Sequence, residues 1–81
     1  MARLLMFATA REASGVGAQE WDTRAGLTLG ELLAEAVGSY GEAFAGVLAT
    51  SRVWVNGEVA DPALRLGPDD EVAVIPPIAG G

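Results

Sequence analysis

Short apolar runs separated by glycine- and proline-marked corners lie at both ends of the chain, and one long amphipathic stretch lies between them. Residues 3–8, Arg3-Leu4-Leu5-Met6-Phe7-Ala8, have the length of a buried strand, with Leu4 and Met6 on one face and Leu5 and Phe7 on the other. A sheet covered on one side normally keeps its other face polar, so two apolar faces predict an outer surface that meets a partner. The half-polar run at 18–23, Ala18-Gln19-Glu20-Trp21-Asp22-Thr23, suits an edge strand. Gly15 and Gly17 punctuate the link, which predicts a hairpin with a loose connection.

A helix is predicted from Thr28, because Thr28 at the N-cap and Glu31 three residues on form a capping box, with Leu27 and Leu32 at the staple positions. Leu29, Leu32, Leu33, Ala36, Val37 and Tyr40 recur at the spacing of one buried face, and Gly41 stands where a left-handed stop belongs. Gly30 and Gly38 each cost about 1 kcal/mol relative to Ala, so this helix must draw its stability from packing on the sheet. Phe44, Val47 and Leu48 extend the helical character into a short second piece.

Arg52-Val53-Trp54-Val55 alternates as a strand and runs into Asn56-Gly57, the strongest short signal for a type I′ hairpin turn. Glu58-Val59-Ala60 reads as a brief return strand and Asp61-Pro62 as a turn. Gly67-Pro68-Asp69-Asp70 is a tight corner before the last strand, Glu71 to Ile75. A hairpin, a crossover helix and a final strand returning beside the first satisfy the connection rules with one sheet. The expected architecture is therefore α+β, a β-grasp: a mixed sheet covered on one face by a helix, with residues 1–75 as the domain and 76–81 as a flexible, extended C-terminal tail.

Composition narrows the chemistry. A chain of 81 residues buries only about 60% of its unfolded surface, which leaves room for one thin core and no deep internal active site. Eleven acidic residues against five basic ones, net charge −6, would repel phosphate backbones and anionic membranes and steer the chain toward basic protein surfaces. Cys and His are absent, so thiolate and imidazole catalysis and metal sites built on those ligands are excluded. Lys is absent too, which leaves no ε-amine to attack an activated carboxyl group on the same chain. Asp69-Asp70-Glu71 reads as a solvated turn and not as a metal cluster, since its carboxylates alternate faces. No apolar run approaches the ~20 residues of a membrane span, and a cytoplasmic protein is expected.

The richest stretch is the end, Ile75-Pro76-Pro77-Ile78-Ala79-Gly80-Gly81. Pro76 and Pro77 lack N–H donors and fix φ, so strand pairing stops at Ile75 and an extended arm follows. Six residues at about 3.3 Å each reach roughly 20 Å, enough to enter another protein's active site. Gly80 and Gly81 have no side chains, so a narrow channel admits the backbone and the terminal carboxylate is open to react at the α-phosphate of ATP. The resulting acyl adenylate can accept sulfur and become a thiocarboxylate, a better nucleophile than the carboxylate it replaces.

In these features the chain resembles the small subunit of molybdopterin synthase, within the wider group of ubiquitin-like sulfur carriers, over essentially its whole length. The resemblance rests on Phe7-Ala8, Arg11-Glu12 and Gly15, on Val55-Asn56, and on Asp70-Glu71-Val72-Ala73 leading into Pro76-Pro77-Ile78-Ala79-Gly80-Gly81. It implies adenylation at Gly81 by a ubiquitin-activating-like adenylyltransferase that uses ATP and Mg²⁺, followed by sulfuration. It further implies two small subunits docked on a dimer of the large subunit, a heterotetramer in which sulfur passes to cyclic pyranopterin monophosphate. The catalytic side chains for that transfer would belong to the large subunit, and no cofactor would be bound by this chain.

Phe7, Trp54 and Ile75 form the expected docking patch, with Pro76, Pro77, Ile78 and Ala79 entering the partner, although core packing explains Phe7 and Trp54 equally well. Arg11 would pair with an acidic partner surface or form a salt bridge with Glu12 or another near neighbour. Three other functions use the same features: a sulfur carrier for thiamine thiazole or cysteine synthesis, a ubiquitin-like modifier of lysines, and a binding module with an inert tail.

Overall fold

The computed structural model describes residues 1–24 and 26–77. Alternation along the strands sets the architecture. In β1 (Ala2–Met6) Ala2, Leu4 and Met6 are buried while Arg3 and Leu5 face outward, and in β5 (Glu71–Ile75) Val72 and Val74 are buried while Ala73 and Ile75 face outward. β1 and β5 run parallel at the centre, with Leu4 opposite Val72 and Met6 opposite Val74. Antiparallel β2 (Ala18–Trp21) flanks β1, and antiparallel β3 (Arg52–Val55) flanks β5. The short β4 (Glu58–Val59) closes the far edge, giving the order β2-β1-β5-β3-β4. This is the β-grasp arrangement expected from the order of elements.

The link between β1 and β2 is not the loose connection expected: it holds a helix, α1 (Ala8–Ser14). β1 accordingly stops at Met6, and β2 stops at Trp21 instead of continuing to residue 23. Ala, Arg and Glu favour a helix over Ala8-Thr9-Ala10-Arg11-Glu12-Ala13, and the fully buried Ala10 lets the backbone approach the core closely. Gly15, at φ +83°, ends the helix and donates its N–H to the Arg11 carbonyl.

The capping box at the start of α2 (Leu29–Tyr40) is present in full: Thr28 Oγ1 accepts from the Glu31 N–H at 3.1 Å, and the Thr28 N–H donates to Glu31 Oε1 at 2.9 Å. These bonds favour the ionised form and hold the Glu31 carboxyl below its usual pKa. Gly30 has a packing reason, since a Cβ there would lie 3.3 Å from the Pro62 carbonyl oxygen, which already accepts the Gly30 N–H. Gly41 ends α2 at φ +92°, ψ −170°, which is not the left-handed stop expected but an extended conformation that glycine alone adopts readily. The same residue opens α3 (Glu42–Ala49), a full second helix whose Phe44 is completely buried. β2 is pinned to α2 by Glu35, which accepts from Trp21 Nε1 at 2.9 Å and pairs with Arg24. The Arg24 and Trp21 bonds together depress the Glu35 pKa.

Asn56 and Gly57 both have positive φ, +52° and +82°, as a type I′ turn requires. Asn56 does more than turn the chain. Its Nδ2 donates to Asp70 Oδ1 at 2.9 Å, and its Oδ1 accepts the Glu71 N–H at 2.9 Å, tying the β3–β4 hairpin to the head of β5. Asp70 Oδ2 also accepts the Gly67 N–H at 2.7 Å. Asp70 is thus the cap of the corner expected at 67–70. We predict that Asn56→Ala costs about 1–2 kcal/mol, from two lost bonds and a strained φ, whereas Asn56→Gly loses the bonds but not the φ. Urea denaturation checks both.

The Gly67 N–H, and then the Asn56 amide, lower the Asp70 pKa. A carboxyl with a depressed folded-state pKa stabilises fully above the ordinary carboxylate range. The contribution therefore fades as pH falls below about 4 and through the lowered folded value. Asn56→Ala should make the acid limb of the stability profile shallower in that window.

Candidate functional site

β5 leaves the sheet between β1 and β3, so the chain end emerges from the middle of the sheet and not from an edge. Pro76 has no N–H to continue pairing; it is buried against the body, and Pro77 is exposed. Ile78, Ala79, Gly80 and Gly81 lie outside the described residues. From Pro77 onward five residues can span at most about 17 Å, still enough to cross into a partner.

The outer face of the sheet carries an apolar row that crosses all five strands. Ala18 is opposite Leu5, Leu5 opposite Ala73, Ala73 opposite Trp54, and Trp54 opposite Val59. Val59 is 78% exposed, and Leu5, Ala73 and Trp54 are half-buried. The Trp54 indole N–H is itself covered and has no acceptor among the described residues. One step toward the chain end, Phe7 is 48% exposed and donates its backbone N–H to the Val74 carbonyl, which sets it beside Ile75. Phe7, Trp54 and Ile75 therefore share the outer face, and the sequence pattern that predicted two apolar faces of β1 had its cause here. Ala73 and Val59 escaped that reading; strand parity counted from Ile75 and Trp54 would have found them.

Arg11 does not make the salt bridge foreseen for it within the chain. It forms no ion pair with Glu12 among the described residues, and its side chain lies over Gly17, where a Cβ would sit 3.4 Å from Nε. At the chain end, a cleft of about 330 Å³ is lined by Thr50, Arg52, Ile75, Pro76 and Pro77. Opposite Ile75 in the register is Arg52, a residue the sequence pattern did not single out.

Charge is distributed unequally along the strands. Along the strands, the end remote from the tail carries Glu20, Glu58 and Glu71, with Asp69 and Asp70 in the corner before β5, and among the described strand residues the cation there is Arg3, 3.8 Å from Glu20. At the tail end the strands contribute Arg52 alone among the described residues, while α1 adds Arg11 and Glu12. Acid-rich and acid-poor ends thus oppose each other on one small domain.

A five-stranded β-grasp sheet whose last strand runs out from its centre into a Gly-Gly end defines a ubiquitin-like protein of the carrier class. The chain belongs to the ThiS family, whose model matches residues 4–81, and it is a ubiquitin-like sulfur carrier of that type. It is 36% identical to the molybdopterin synthase sulfur carrier subunit of Chlamydomonas reinhardtii, over 98% of this chain and 96% of that one. Its fold superposes on SAMP1 from Haloferax volcanii with a TM-score of 0.86 at 27% identity, covering 99% of this chain and 98% of that one. A putative molybdopterin converting factor, subunit 1, from Pyrococcus furiosus gives a TM-score of 0.85 at 25% identity, with 95% and 97% covered. No helix among the described residues is long and apolar enough to cross a membrane.

Proposed function

We propose that this protein is the sulfur-donating small subunit of a molybdopterin synthase and that it works in the cytoplasm as a C-terminal thiocarboxylate. The carrying observation is the central strand β5 running into Pro76-Pro77, with Gly80-Gly81 at the end of the sequence, next to a partly exposed apolar face of the sheet. The 36% identity to an algal sulfur carrier subunit of that synthase supports the choice of pathway.

In this reading a carboxylate oxygen of Gly81 attacks the α-phosphorus of ATP on an adenylyltransferase, and pyrophosphate leaves. Sulfur at the sulfide level then attacks the acyl carbon, the bond from that carbon to the AMP oxygen breaks, AMP departs, and loss of the sulfur's proton leaves a thiocarboxylate. ATP and Mg²⁺ belong to the activating enzyme. The large subunit of the synthase receives the loaded tail, and sulfur passes to cyclic pyranopterin monophosphate. Phe7, Trp54, Ile75 and the apolar row supply the docking area for both partners, while Gly80 and Gly81 keep the reacting end thin.

Intact-mass spectrometry of the protein from its native cells tests this. We expect a rise of about 16 Da at the C-terminus, for one oxygen replaced by sulfur in acyl-carrier chemistry, with the synthase large subunit co-purifying. A terminus that stays a carboxylate when ATP, activating enzyme and sulfur donor are all supplied overturns the reading.

A second reading has one observation of its own. The chain is also similar to an archaeal small modifier protein, and an activated Gly81 would form isopeptide bonds with lysines of other proteins equally well. A ladder of higher-mass conjugates bearing this chain would favour it.

A further inference from the structure

Of the five arginines, three are paired within the chain among the described residues, and Arg11, though unpaired, is on α1 and away from the root of the tail. Arg3 pairs with Glu20 and Arg24 with Glu35; Arg65 donates to the Gly26 carbonyl at 3.1 Å, and Arg11 lies over Gly17. The Arg52 guanidinium makes no hydrogen bond or ion pair among the described residues, and Arg52 is exposed. It sits on the outer face, opposite Ile75 in the antiparallel ladder, and forms one wall of the cleft at the root of the tail.

Resting on the carrier reading, we propose that Arg52 is a docking cation that pairs with a carboxylate on the rim of the channel into which the adenylating enzyme takes the tail. The geometry leaves a partner little choice. A channel that admits the chain beyond Pro77 must bring its rim over Pro76 and Pro77, and so over the guanidinium that shares their cleft. A guanidinium covered in this way needs acceptors, and a carboxylate offers two in matching geometry. A rim without one leaves the charge desolvated and unpaired, which penalises the wrong partner as well as rewarding the right one.

The charge distribution gives this pairing a direction. With net charge −6, the body as a whole is repelled by an acidic surface, so general steering would favour basic ones. At the tail end the strands present the opposite sign. An acidic rim therefore draws in that end while it repels the acid-rich end, and the molecule arrives tail first.

Kinetics of ATP–pyrophosphate exchange by the cognate adenylating enzyme, with the carrier as variable substrate, provide the test. We expect Arg52→Gln to raise the carrier's KM about 10-fold and Arg52→Glu about 100-fold, with Arg52→Lys between wild type and Arg52→Gln, because it keeps the charge but not the two-pronged geometry, and kcat unchanged in all three. The salt dependence of KM should weaken in Arg52→Gln, and Glu58→Gln at the opposite end should leave KM as it was. Melting temperatures equal to wild type establish that the variants are folded. An unchanged KM in Arg52→Gln and Arg52→Glu overturns the inference while leaving the carrier reading intact. So does an equal loss in all three variants without any salt dependence, which would mean that packing and not charge is at work. No exchange with the wild-type chain overturns the carrier reading and this inference with it.

Discussion

Deletion of Gly81 alone should reduce exchange and sulfur transfer by at least about 10³-fold while leaving the melting temperature unchanged. The size of the effect follows from geometry. In the proposed reaction, losing one residue would withdraw the terminal carboxylate by about 3.5 Å from the α-phosphate it must reach. Misplacement of about 1 Å already costs around 10²-fold in a reaction that depends on positioned groups. The new terminus, Gly80, has the same chemistry but falls short. Stability is expected to stay put because the last fully buried side chains are Val72 and Val74, and Pro76 is the last buried residue described. A paired measurement of exchange rate and thermal unfolding decides the matter. Full exchange after the deletion would place the reactive group elsewhere, and a lowered melting temperature would make the tail part of the fold. A binding module with an inert tail predicts a change in affinity alone.

That this terminus stands out in the sequence while Arg52 does not reflects the range of the signals involved. Pro76-Pro77 and Gly80-Gly81 announce themselves by backbone chemistry, which is local. The same holds for the capping box at Thr28 and Glu31 and for the positive-φ pair Asn56-Gly57, each settled within four residues. α1 fails that test, because seven residues give too few turns for an apolar period to show, and the buried member is only an alanine. Its reason for existing is tertiary: it packs on α3. Arg52 acquires meaning only through the β3–β5 register, which joins residues far apart in the chain, whereas Ala73 and Val59 follow from parity along β5 and across the short β3–β4 hairpin. Trp21 and Arg24 meet at Glu35 for the same non-local reason. Arg11 is the converse case, since the neighbour offered by sequence, Glu12, is not the contact it makes.

Phe44→Ala should cost about 3–5 kcal/mol, the largest loss of stability from any single truncation in this domain. Phe44 leads the fully buried side chains in volume, with no exposed surface at all. It comes from α3, the element that completes the helical layer over the sheet, and it meets Tyr40 of α2 edge-on at 5.1 Å between ring centroids. Tyr40 in turn meets Trp21 of β2 edge-on at 6.2 Å, so three elements converge on one aromatic chain. Truncating its innermost ring forfeits the transfer of that ring and leaves a cavity that two neighbouring helices and a sheet cannot easily close. Domains of this size have only about 5–15 kcal/mol in total, so the variant should unfold at a much lower urea concentration, with a slope close to wild type. None of the three rings belongs to the outer row or to the tail cleft. Exchange activity per folded molecule should therefore survive at low temperature. Activity lost in a variant that is still folded would mean that the helical layer, and not the open sheet face, is what the partner reads.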